Sequence, residues 1–408
     1  MRKILVLSSL LLFSTSFLFA QNVNTGGKEN LIIKGFLSAT LFGQNQNFGF
    51  DNGQSSEWPT SNYTQNQWFY GGDIRNTRVT MVFNGPKITD EWKFGGVLEL
   101  DAFGGFNGSG AFNAEQPLTR IRLAYADLVN ENLTIRIGQA WTPLFGNVPV
   151  SLSHIAFPLG YGTAGDVGWR FPGIFFYYKF NANGSPTHFG LDAAVFEGSW
   201  SGPGSPEAFQ DGGNLGTPQF ELRLNLDSKI SDESSFSAYI VGHYNQVNLT
   251  PINHTPAVNL NGTAFEVGAS YKVNGILIHG NLYSGQNIGQ QFGNLTQFSS
   301  VNKNISSLGF WLQAGYNFTK EWSLFAYYGS ENMSNKTDVT TTLGNGARLG
   351  NNLYDIMLKY QVGPLSLGVE YLGSKLTYGT LTNTETATLI GEGSQTGTQI
   401  ALSMFYSF

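Results

Sequence analysis

The stretch that decides the fold is GTQIALSMFYSF, residues 397–408. Large apolar side chains alternate along it with small or polar ones. Because successive side chains of a β-strand point to opposite faces, this alternation predicts a strand with one oily and one polar face. The oily face carries Ile400, Leu402, Met404, Tyr406 and Phe408, and the other carries Gln399, Ala401, Ser403 and Ser407. Such a strand suits a membrane wall, although a soluble β-domain could also contain it.

The composition favours one repetitive β-architecture rather than two ordinary domains. Only 12% of the 408 residues are charged, whereas soluble domains carry about 25%. Glycine (51) and phenylalanine (32) are abundant, yet the mean hydropathy is −0.13 because polar uncharged residues fill the remaining positions. We therefore expect a β-sheet with two faces, each in contact with a different solvent. The net charge of −6 makes nucleic acid an improbable partner.

The N-terminal residues 1–20 have the pattern of a secretory signal peptide. Arg2 and Lys3 precede an apolar run that is interrupted by serines, and Ala20 precedes the expected cleavage point. The alternative is a retained membrane anchor. No later segment contains about 18 consecutive apolar residues, so the sequence does not predict a membrane-spanning helix. The sequence has no cysteine, so we expect no lipid attachment through cysteine and no disulfides. Residues 21–30 are expected to be a short lead-in.

From Leu31 onward, period-2 windows follow one another with alternately short and long connections. The sixteen windows are 31–42, 73–83, 91–101, 118–129, 133–141, 169–180, 187–200, 219–230, 235–247, 263–273, 276–285, 307–318, 321–330, 352–362, 365–376 and 397–408. The long connections are 43–72, 103–117, 142–168, 201–218, 248–262, 286–306, 331–351 and 377–396. Aromatic residues collect beside the short turns, as expected of a girdle at the lipid headgroups.

These windows predict an all-β fold: a sixteen-stranded antiparallel transmembrane β-barrel over residues 31–408, with short periplasmic turns and long extracellular loops. Backbone groups in lipid have no water to bind, so the sheet must close and the last strand must pair with the first. A barrel of this size encloses an aqueous channel rather than a packed core. Functional residues are then expected on the inward faces of the strands and in any loop that enters the lumen.

Charged side chains fall on the predicted inward face of the second to sixth windows. A hairpin that closes at Glu131 would set Arg136 opposite Ala126 and Arg122 opposite Ala140. Such a column of guanidinium groups could give a permeating anion a series of binding positions. The alternative is a neutralised wall in which the arginines pair with carboxylates. The predicted pore-lining residues are Arg78, Lys93, Glu99, Asp101, Arg120, Arg122, Arg136 and Arg170.

The connection 142–168 is unusually apolar for an outer surface loop and contains three prolines. We predict that it folds inward and narrows the channel as a constriction loop. The alternative is that it packs against neighbouring loops or a neighbouring subunit. Its candidate site residues are Pro143, Phe145, His154 and Asp166.

Two sets of motifs carry a family resemblance. The last strand, with Tyr406 and the terminal Phe408, resembles the C-terminal assembly signal of bacterial outer-membrane barrels. Residues 78–85, 121–128, 135–146 and 166–176 resemble trimeric sixteen-stranded porins, especially the dicarboxylate-type porins. The resemblance implies a Gram-negative outer-membrane location, assembly by the barrel assembly machinery into a homotrimer, and a constriction formed by the loop after the fifth strand.

One departure from that family concerns charge. The constriction loop of the general porins carries acidic residues that face an arginine ladder, whereas residues 142–168 contain only Asp166. The resemblance therefore gives less support to the transverse field of those porins and more to a preference for anions.

Other motifs do not indicate a cofactor or metal. Residues 160–165 match GxGxxG but lie in a loop without a βαβ unit around them. The five histidines lack the spacing of metal ligands, and His243 and His279 are expected to be polar lumen residues. We predict no cofactor.

These features predict a porin in the lipid of the outer membrane that lets solutes cross by passive diffusion. The protein is not expected to be an enzyme. Its solutes would be small and hydrophilic, with a lean toward anions such as carboxylates or phosphate. Two alternatives remain: an outer-membrane hydrolase built on a barrel, and a transporter for hydrophobic compounds.

Overall fold

The fold was analysed in a computed structural model that describes residues 21–24, 30–60, 67–104, 117–181, 185–197, 217–248, 259–299, 301, 303–383 and 388–408. The predicted signal peptide lies outside these residues. The strands are β1 (Gln21–Asn24), β2 (Asn30–Gln44), β3 (Phe69–Asp73), β4 (Arg78–Lys87), β5 (Lys93–Asp101), β6 (Arg120–Val129), β7 (Leu133–Trp141), β8 (Arg170–Lys179), β9 (Thr187–Phe196), β10 (Gln219–Lys229), β11 (Ser234–Asn248), β12 (Asn259–Val273), β13 (Ile276–Gln286), β14 (Ser306–Asn317), β15 (Trp322–Met333), β16 (Arg348–Val362), β17 (Leu365–Asn383) and β18 (Thr388–Ser407). One α-helix, α1 (Lys336–Leu343), and the 3-10 turns Gly289–Gln291 and Asn294–Thr296 are the helical elements of these residues.

The strands form one closed antiparallel barrel with sixteen wall positions. β3 and β4 share one position, because both pair with β2 and are separated by a short turn. The predicted closure between the last and first strands is confirmed: β18 pairs with β2 from Gln399 opposite Gln44 to Ser407 opposite Phe36. The predicted sixteen-stranded barrel is therefore confirmed.

The C-terminal strand has the two faces that its sequence predicts. Its outward side chains are exposed, with Leu402 at 53%, while Ser403 on the other face is 1% exposed. The Ser403 hydroxyl lies 2.9 Å from that of Thr40 on β2. The apolar face thus covers the outside of the barrel, where a lipid bilayer can solvate it.

The predicted lead-in contains a strand. β1 pairs with β2 from Gln21 opposite Ile33 to Asn24 opposite Asn30. This is the part of the β2 edge that lies beyond the end of β18. β1 therefore pairs a stretch of backbone that would otherwise be an open sheet edge.

The short turns follow local rules of backbone geometry. Asn274 and Gly275 both have positive φ (46° and 81°), as expected of the two-residue hairpin turn that their sequence predicts. At the turn between β6 and β7, the Asn130 side chain accepts hydrogen bonds from the backbone N–H groups of Asn132 and Leu133. Val129 then pairs with Thr134.

The prediction of a long loop at 377–396 is wrong. β17 continues to Asn383 and β18 begins at Thr388, with cross-strand pairs such as Leu381 opposite Ile390. The threonines and glycines of this stretch resemble a loop in composition, but threonine is β-branched and fits an exposed two-stranded ribbon. Helix α1 packs beside the ribbon, where Lys336 forms an ion pair with Glu392.

Within the described ranges, no helix is both long enough and apolar enough to cross a membrane.

Candidate functional site

The site begins with a β-bulge that aims two arginines into the barrel from β6. Glu99 of β5 pairs with Leu123, but the next residue, Leu100, pairs with Ile121, so Arg122 is the extra residue. A bulge lets neighbouring side chains emerge on the same side of a sheet. Arg122 is 2% exposed, whereas Ile121 is exposed on the outside. Arg120 and Arg122 consequently lie beside the acidic residues of β5.

The predicted register of β6 and β7 is wrong by one residue, because Val129 pairs with Thr134 and the turn does not close on Glu131 alone. Arg136 lies opposite Asp127, not Ala126, and its Nε donates to Asp127 Oδ1 at 2.8 Å. The predicted pairing of Arg122 with Ala140 is wrong as well, since the β6–β7 ladder ends at Ala124 opposite Gln139. The error arises at the turn, where Glu131 and Asn132 both lie between the paired residues Asn130 and Leu133. The bulge at Arg122 then switches the inward parity of β6, so that Asp127 and Arg122 both face the lumen.

Three arginines of this wall are held by carboxylates. Arg120 binds Asp101 through two hydrogen bonds of 2.8 and 3.0 Å. Arg122 binds both Glu99 (2.8 Å) and Asp101 (2.9 Å), and Arg136 binds Asp127. For these three, the alternative of a paired wall agrees with the geometry.

Arg78 and Arg170, in contrast, have no hydrogen-bonded carboxylate in the described structure. Arg78 Nε lies 3.8 Å from Glu99, too far for a hydrogen bond, and its Nε and Nη2 are buried without a hydrogen-bond partner in the described structure. Arg170 Nε is likewise buried without a hydrogen-bond partner in the described structure, and its guanidinium lies over the rings of Trp169 (4.1 Å) and Trp141 (4.8 Å). We call the set Arg78, Glu99, Asp101, Arg120, Arg122 and Arg170 the arginine cluster.

The arginine cluster contains four guanidinium groups and two carboxylates, so it has a local surplus of positive charge. Arg78 and Arg170 lie on strands at either side of the paired residues, on β4 and β8. Lys93 does not belong to the cluster. It is exposed at the short-turn end of β5, opposite Lys87 and Val129.

The connection 142–168 lies inside the barrel. Ala156, Leu159 and Val167 are fully buried. Its backbone is tied to inner-wall side chains far away in sequence: Leu144 N donates to Glu221 on β10, and Val150 N donates to Gln313 on β14. We call residues 142–168 the inner loop.

The tip of the inner loop, residues 151–153, is hydrogen-bonded to β17 and to the turn between β3 and β4 on the opposite wall. Glu370 accepts hydrogen bonds from Leu152 N (2.7 Å), Ser153 N (2.8 Å) and Ser151 Oγ (2.6 Å). Asn76, in the turn between β3 and β4, then donates to Ser153 O. The loop therefore crosses the barrel from the β7–β8 side, along β10 to β17, to the β3–β4 turn.

The four predicted loop residues occupy different surroundings. Pro143 O accepts a hydrogen bond of 3.0 Å from Arg223. The ring of Phe145 is partly exposed and stacks on Trp141 with centroids 3.7 Å apart. His154 is buried: its Nε2 lies 2.9 Å from Ser56 O, and its Nδ1 lies 2.8 Å from Ser153 Oγ, whose hydroxyl donates to Glu370. Burial lowers the pKa of His154, which favours a neutral ring.

Asp166, the acidic residue of the inner loop, is enclosed by protein. Its side chain is 0% exposed, and neither carboxyl oxygen has a hydrogen-bond partner in the described structure. Burial raises the pKa of Asp166 well above its usual value, and the nearby Glu266 adds to this rise. Burial therefore disfavours the charged form of this carboxyl. The partly exposed loop positions Phe145, Gly146, Asn147, Val148, Val150 and Ser151 are all uncharged.

Solved structures of the same architecture are outer-membrane proteins. The outer membrane channel DcaP of Acinetobacter baumannii is 18% identical, with a TM-score of 0.65 over 93% of this chain and 97% of that one. The chain has the fold of the outer-membrane porins. The porin fold and the apolar outer face locate it in the outer membrane of a Gram-negative bacterium.

Two further structures with the porin fold match over nearly their whole lengths. OmpT of Vibrio cholerae in its trimer form is 14% identical, with a TM-score of 0.54 over 93% of this chain and 99% of that one. The anion-selective porin from Comamonas acidovorans is 13% identical, with a TM-score of 0.54 and coverages of 93% and 100%. No protein-family model matches the sequence, and no curated protein matches it.

Several residues of this porin fold were missed from sequence. The connection after β2 also turns inward, with Gln54, Ser56 and Glu57 buried. Gln54 donates to the Thr40 hydroxyl, and Glu57 accepts from the backbone N–H of Gly160. Burial raises the pKa of Glu57 well above its usual value. Nothing in this polar stretch distinguishes it from an outer loop, because the bonds that bury it come from residues distant in sequence.

Arg223 was also missed, although the parity of β10 could have revealed it. Its guanidinium lies 3.7 Å from the ring centroid of Tyr239 and donates to carbonyls of the inner loop. His243 and His279, expected to be polar lumen residues, are both buried. His243 bonds Glu221 and His279 bonds Gln313. In the described ranges no cluster of histidine and acidic residues is arranged to hold a metal ion.

Proposed function

We propose that the protein is a passive channel for small hydrophilic solutes and that it prefers anions such as carboxylates or phosphate. The observation that carries the proposal is the charge imbalance between the arginine cluster and the inner loop. Arg78 and Arg170 have no hydrogen-bonded carboxylate in the described structure, and Asp166 is enclosed. Guanidinium groups in a narrow aqueous passage attract anions and raise their local concentration.

We further propose that the inner loop sets the width of the passage. Its path along β10, β14 and β17 supports this role, because every crossing of the lumen by protein removes cross-section from the channel. Pro143 and Phe145 lie where the inner loop enters the lumen. His154 and Asp166 are buried further along the loop. The pore-lining role of the arginine cluster and of Arg136 belongs to the same proposal.

We propose a homotrimer assembled by the barrel assembly machinery. Support for the trimer comes from the structural likeness to OmpT of Vibrio cholerae, which was solved in trimer form. The preference for anions has similar support from the anion-selective porin of Comamonas acidovorans. Tyr406 and Phe408 remain the candidate residues of the assembly signal.

The function is tested in planar bilayers under a KCl gradient. We expect stepwise conductance and a reversal potential of the sign that marks chloride preference. Arg78→Gln and Arg170→Gln together should reduce that preference, because they remove the two guanidinium groups without a hydrogen-bonded carboxylate. Lys229→Gln and Lys320→Gln together are the matched control, because both lysines are exposed at short turns and the same charge is removed away from the cluster. Absence of conductance, or selectivity for potassium, would overturn the proposal.

A further inference from the structure

The connection between β13 and β14 folds into the barrel and contacts both ends of the inner loop. We call residues 287–297 the clasp. The Gln291 carbonyl oxygen accepts a hydrogen bond of 2.7 Å from Gly168 N, and its side-chain oxygen accepts one of 3.1 Å from Trp169 N. The same side-chain oxygen lies 3.5 Å from the Thr142 hydroxyl. One glutamine therefore contacts the inner loop where it enters the lumen and where it returns to the wall.

Two further residues of the clasp contact the returning part of the inner loop. The Phe292 ring is fully buried and packs on the rings of Tyr161 and Trp169, with centroids 4.5 Å apart in both pairs. The Thr296 hydroxyl donates a hydrogen bond of 2.6 Å to Gly162 O. The clasp thus holds the stretch that runs from residue 161 to β8, and its own side chains fill lumen cross-section beside that stretch.

The backbone of the clasp is strained. Positive φ angles of 59°, 46°, 48° and 53° occur at four non-glycine residues, Phe292, Asn294, Leu295 and Thr296. Asparagine tolerates this left-handed conformation, but large and β-branched side chains rarely adopt it. Strain of this kind persists only where surrounding bonds hold it, and it is common in switch segments. The clasp is therefore poised to relax when those bonds break.

Two charged residues of the wall hold the strained turn at Leu295. Glu331, near the end of β15, accepts a hydrogen bond of 2.7 Å from Leu295 N. Arg348, at the start of β16, donates one bond of 2.8 Å to Leu295 O and another of 2.8 Å to Thr296 O. The N–H and C=O groups of one strained residue are thus bound by opposite charges. Hydrogen bonds to charged groups are stronger than neutral ones, so these contacts keep the turn left-handed.

We propose that the clasp is a gating element of the channel. When its bonds to Glu331 and Arg348 break, the left-handed turn relaxes, Phe292 leaves the inner loop, and the channel enters a wider conducting state. The inference rests on the proposed role of the inner loop in setting the width of the passage, and it adds how that width changes. The tip of the loop stays bound to Glu370, so the clasp releases only the returning stretch.

The first test compares single-channel conductance in planar bilayers for Thr296→Val and Thr296→Ser. Valine keeps the β-branched shape and removes the hydroxyl that binds Gly162 O, whereas serine keeps the hydroxyl. We expect Thr296→Val to show a second, larger conductance level about ten times as often as wild type, the ratio that the loss of one hydrogen bond implies. Thr296→Ser should behave as wild type.

Arg348→Lys tests the charged contacts without a change of charge. Lysine keeps the positive charge but lacks the planar fork that binds two carbonyl oxygens. We expect this variant also to raise the frequency of the larger conductance level. It carries the same comparison should Thr296→Val fail to fold.

The second test measures exposure of the inner loop directly, because the chain has no cysteine of its own. Thr163→Cys places a thiol beside Gly162, at a position that is 1% exposed. Its rate of reaction with a water-soluble methanethiosulfonate reports how often this stretch is uncovered. Adding Thr296→Val should raise the rate about tenfold. Ser403→Cys, equally buried on β18, is the control and should react at the same rate with and without Thr296→Val.

The two proposals fail in different ways. A channel without chloride preference in a KCl gradient overturns the proposed function, while the thiol reaction is measured in detergent and does not depend on ion selectivity. The clasp proposal is overturned if Thr296→Val leaves the reaction rate of Thr163→Cys unchanged, or if the larger conductance level is equally frequent in Thr296→Val and Thr296→Ser. An equal rise in rate at Ser403→Cys would show general loosening of the barrel and would overturn it as well.

Discussion

At the scale of single residues, one bulge on β6 joins the charges of the arginine cluster. Arg120, Arg122 and Asp101 form one buried ion-pair network. Arg122 reaches both Glu99 and Asp101 only because of the bulge on β6. A bulge is a property of two paired strands, so the periodicity of one strand does not reveal it.

A prediction at this scale concerns Asp166. Because burial raises its pKa in the folded state, the folded state binds this proton more tightly than the unfolded state does. The stabilising effect is complete below the ordinary aspartate pKa of about 3.9, and it is lost as the pH rises from there through the raised folded value. Asp166→Asn removes the titration and should flatten this part of the pH profile.

The measurement is the urea midpoint of the refolded barrel in detergent, followed by tryptophan fluorescence between pH 4 and pH 8. The difference in urea midpoint between wild type and Asp166→Asn cancels the titration of the other groups. Groups coupled to Asp166, such as Glu57, are the exception. The advantage of the variant should grow with pH. A difference that stays constant across the range would show that Asp166 titrates normally.

At the scale of elements, alternation along a strand was enough to find the wall, while tertiary contacts decided the loops. β7 begins and ends at the predicted residues, because its short turn and its oily face are both local features. The ribbon of β17 and β18 was missed since only pairing between the two strands distinguishes it from a polar loop. The inner loop was identified from its apolar composition, but its anchors come from strands far away in sequence.

The second prediction concerns the tip of the inner loop. Glu370 accepts four hydrogen bonds from Ser151, Leu152 and Ser153, and each bond to a charged group contributes about 1.5–3 kcal/mol. Glu370→Ala should therefore release the tip. We expect a larger and noisier single-channel conductance, with Glu370→Gln intermediate because the amide keeps one acceptor oxygen.

The control for this experiment is Glu392→Gln. Glu392 lies in β18 outside the lumen contacts and pairs with Lys336 in an exposed ion pair, which contributes little. The single-channel conductance of Glu392→Gln should equal that of wild type. An unchanged conductance in Glu370→Ala would mean that the remaining anchors, such as Gln313, hold the loop in place by themselves.

At the scale of the whole molecule, closure of the barrel depends on the seam where the chain's last strand meets its first. Gly35 on β2 exchanges two backbone hydrogen bonds of 3.0 Å with Phe408. On its other side Gly35 pairs with Val79 of β4. A Cβ at position 35 would collide with the backbone carbonyl oxygen of Arg78 and would lie 3.0 Å from the Phe408 ring.

The last prediction follows from this crowding. Gly35→Ala should weaken the seam by about 1–3 kcal/mol, the usual cost of overpacking a close contact. Gly242→Ala on β11 is the matched control, because a Cβ there meets no atom within 4 Å and alanine fits a strand at least as well as glycine. Refolding into detergent followed by unheated gel electrophoresis measures the folded fraction, and urea titration measures the midpoint. Both should fall for Gly35→Ala alone. Since lipid offers backbone groups no alternative partner, a barrel that tolerated the alanine would mean that β2 can shift locally against β4 and the Phe408 ring without opening the sheet.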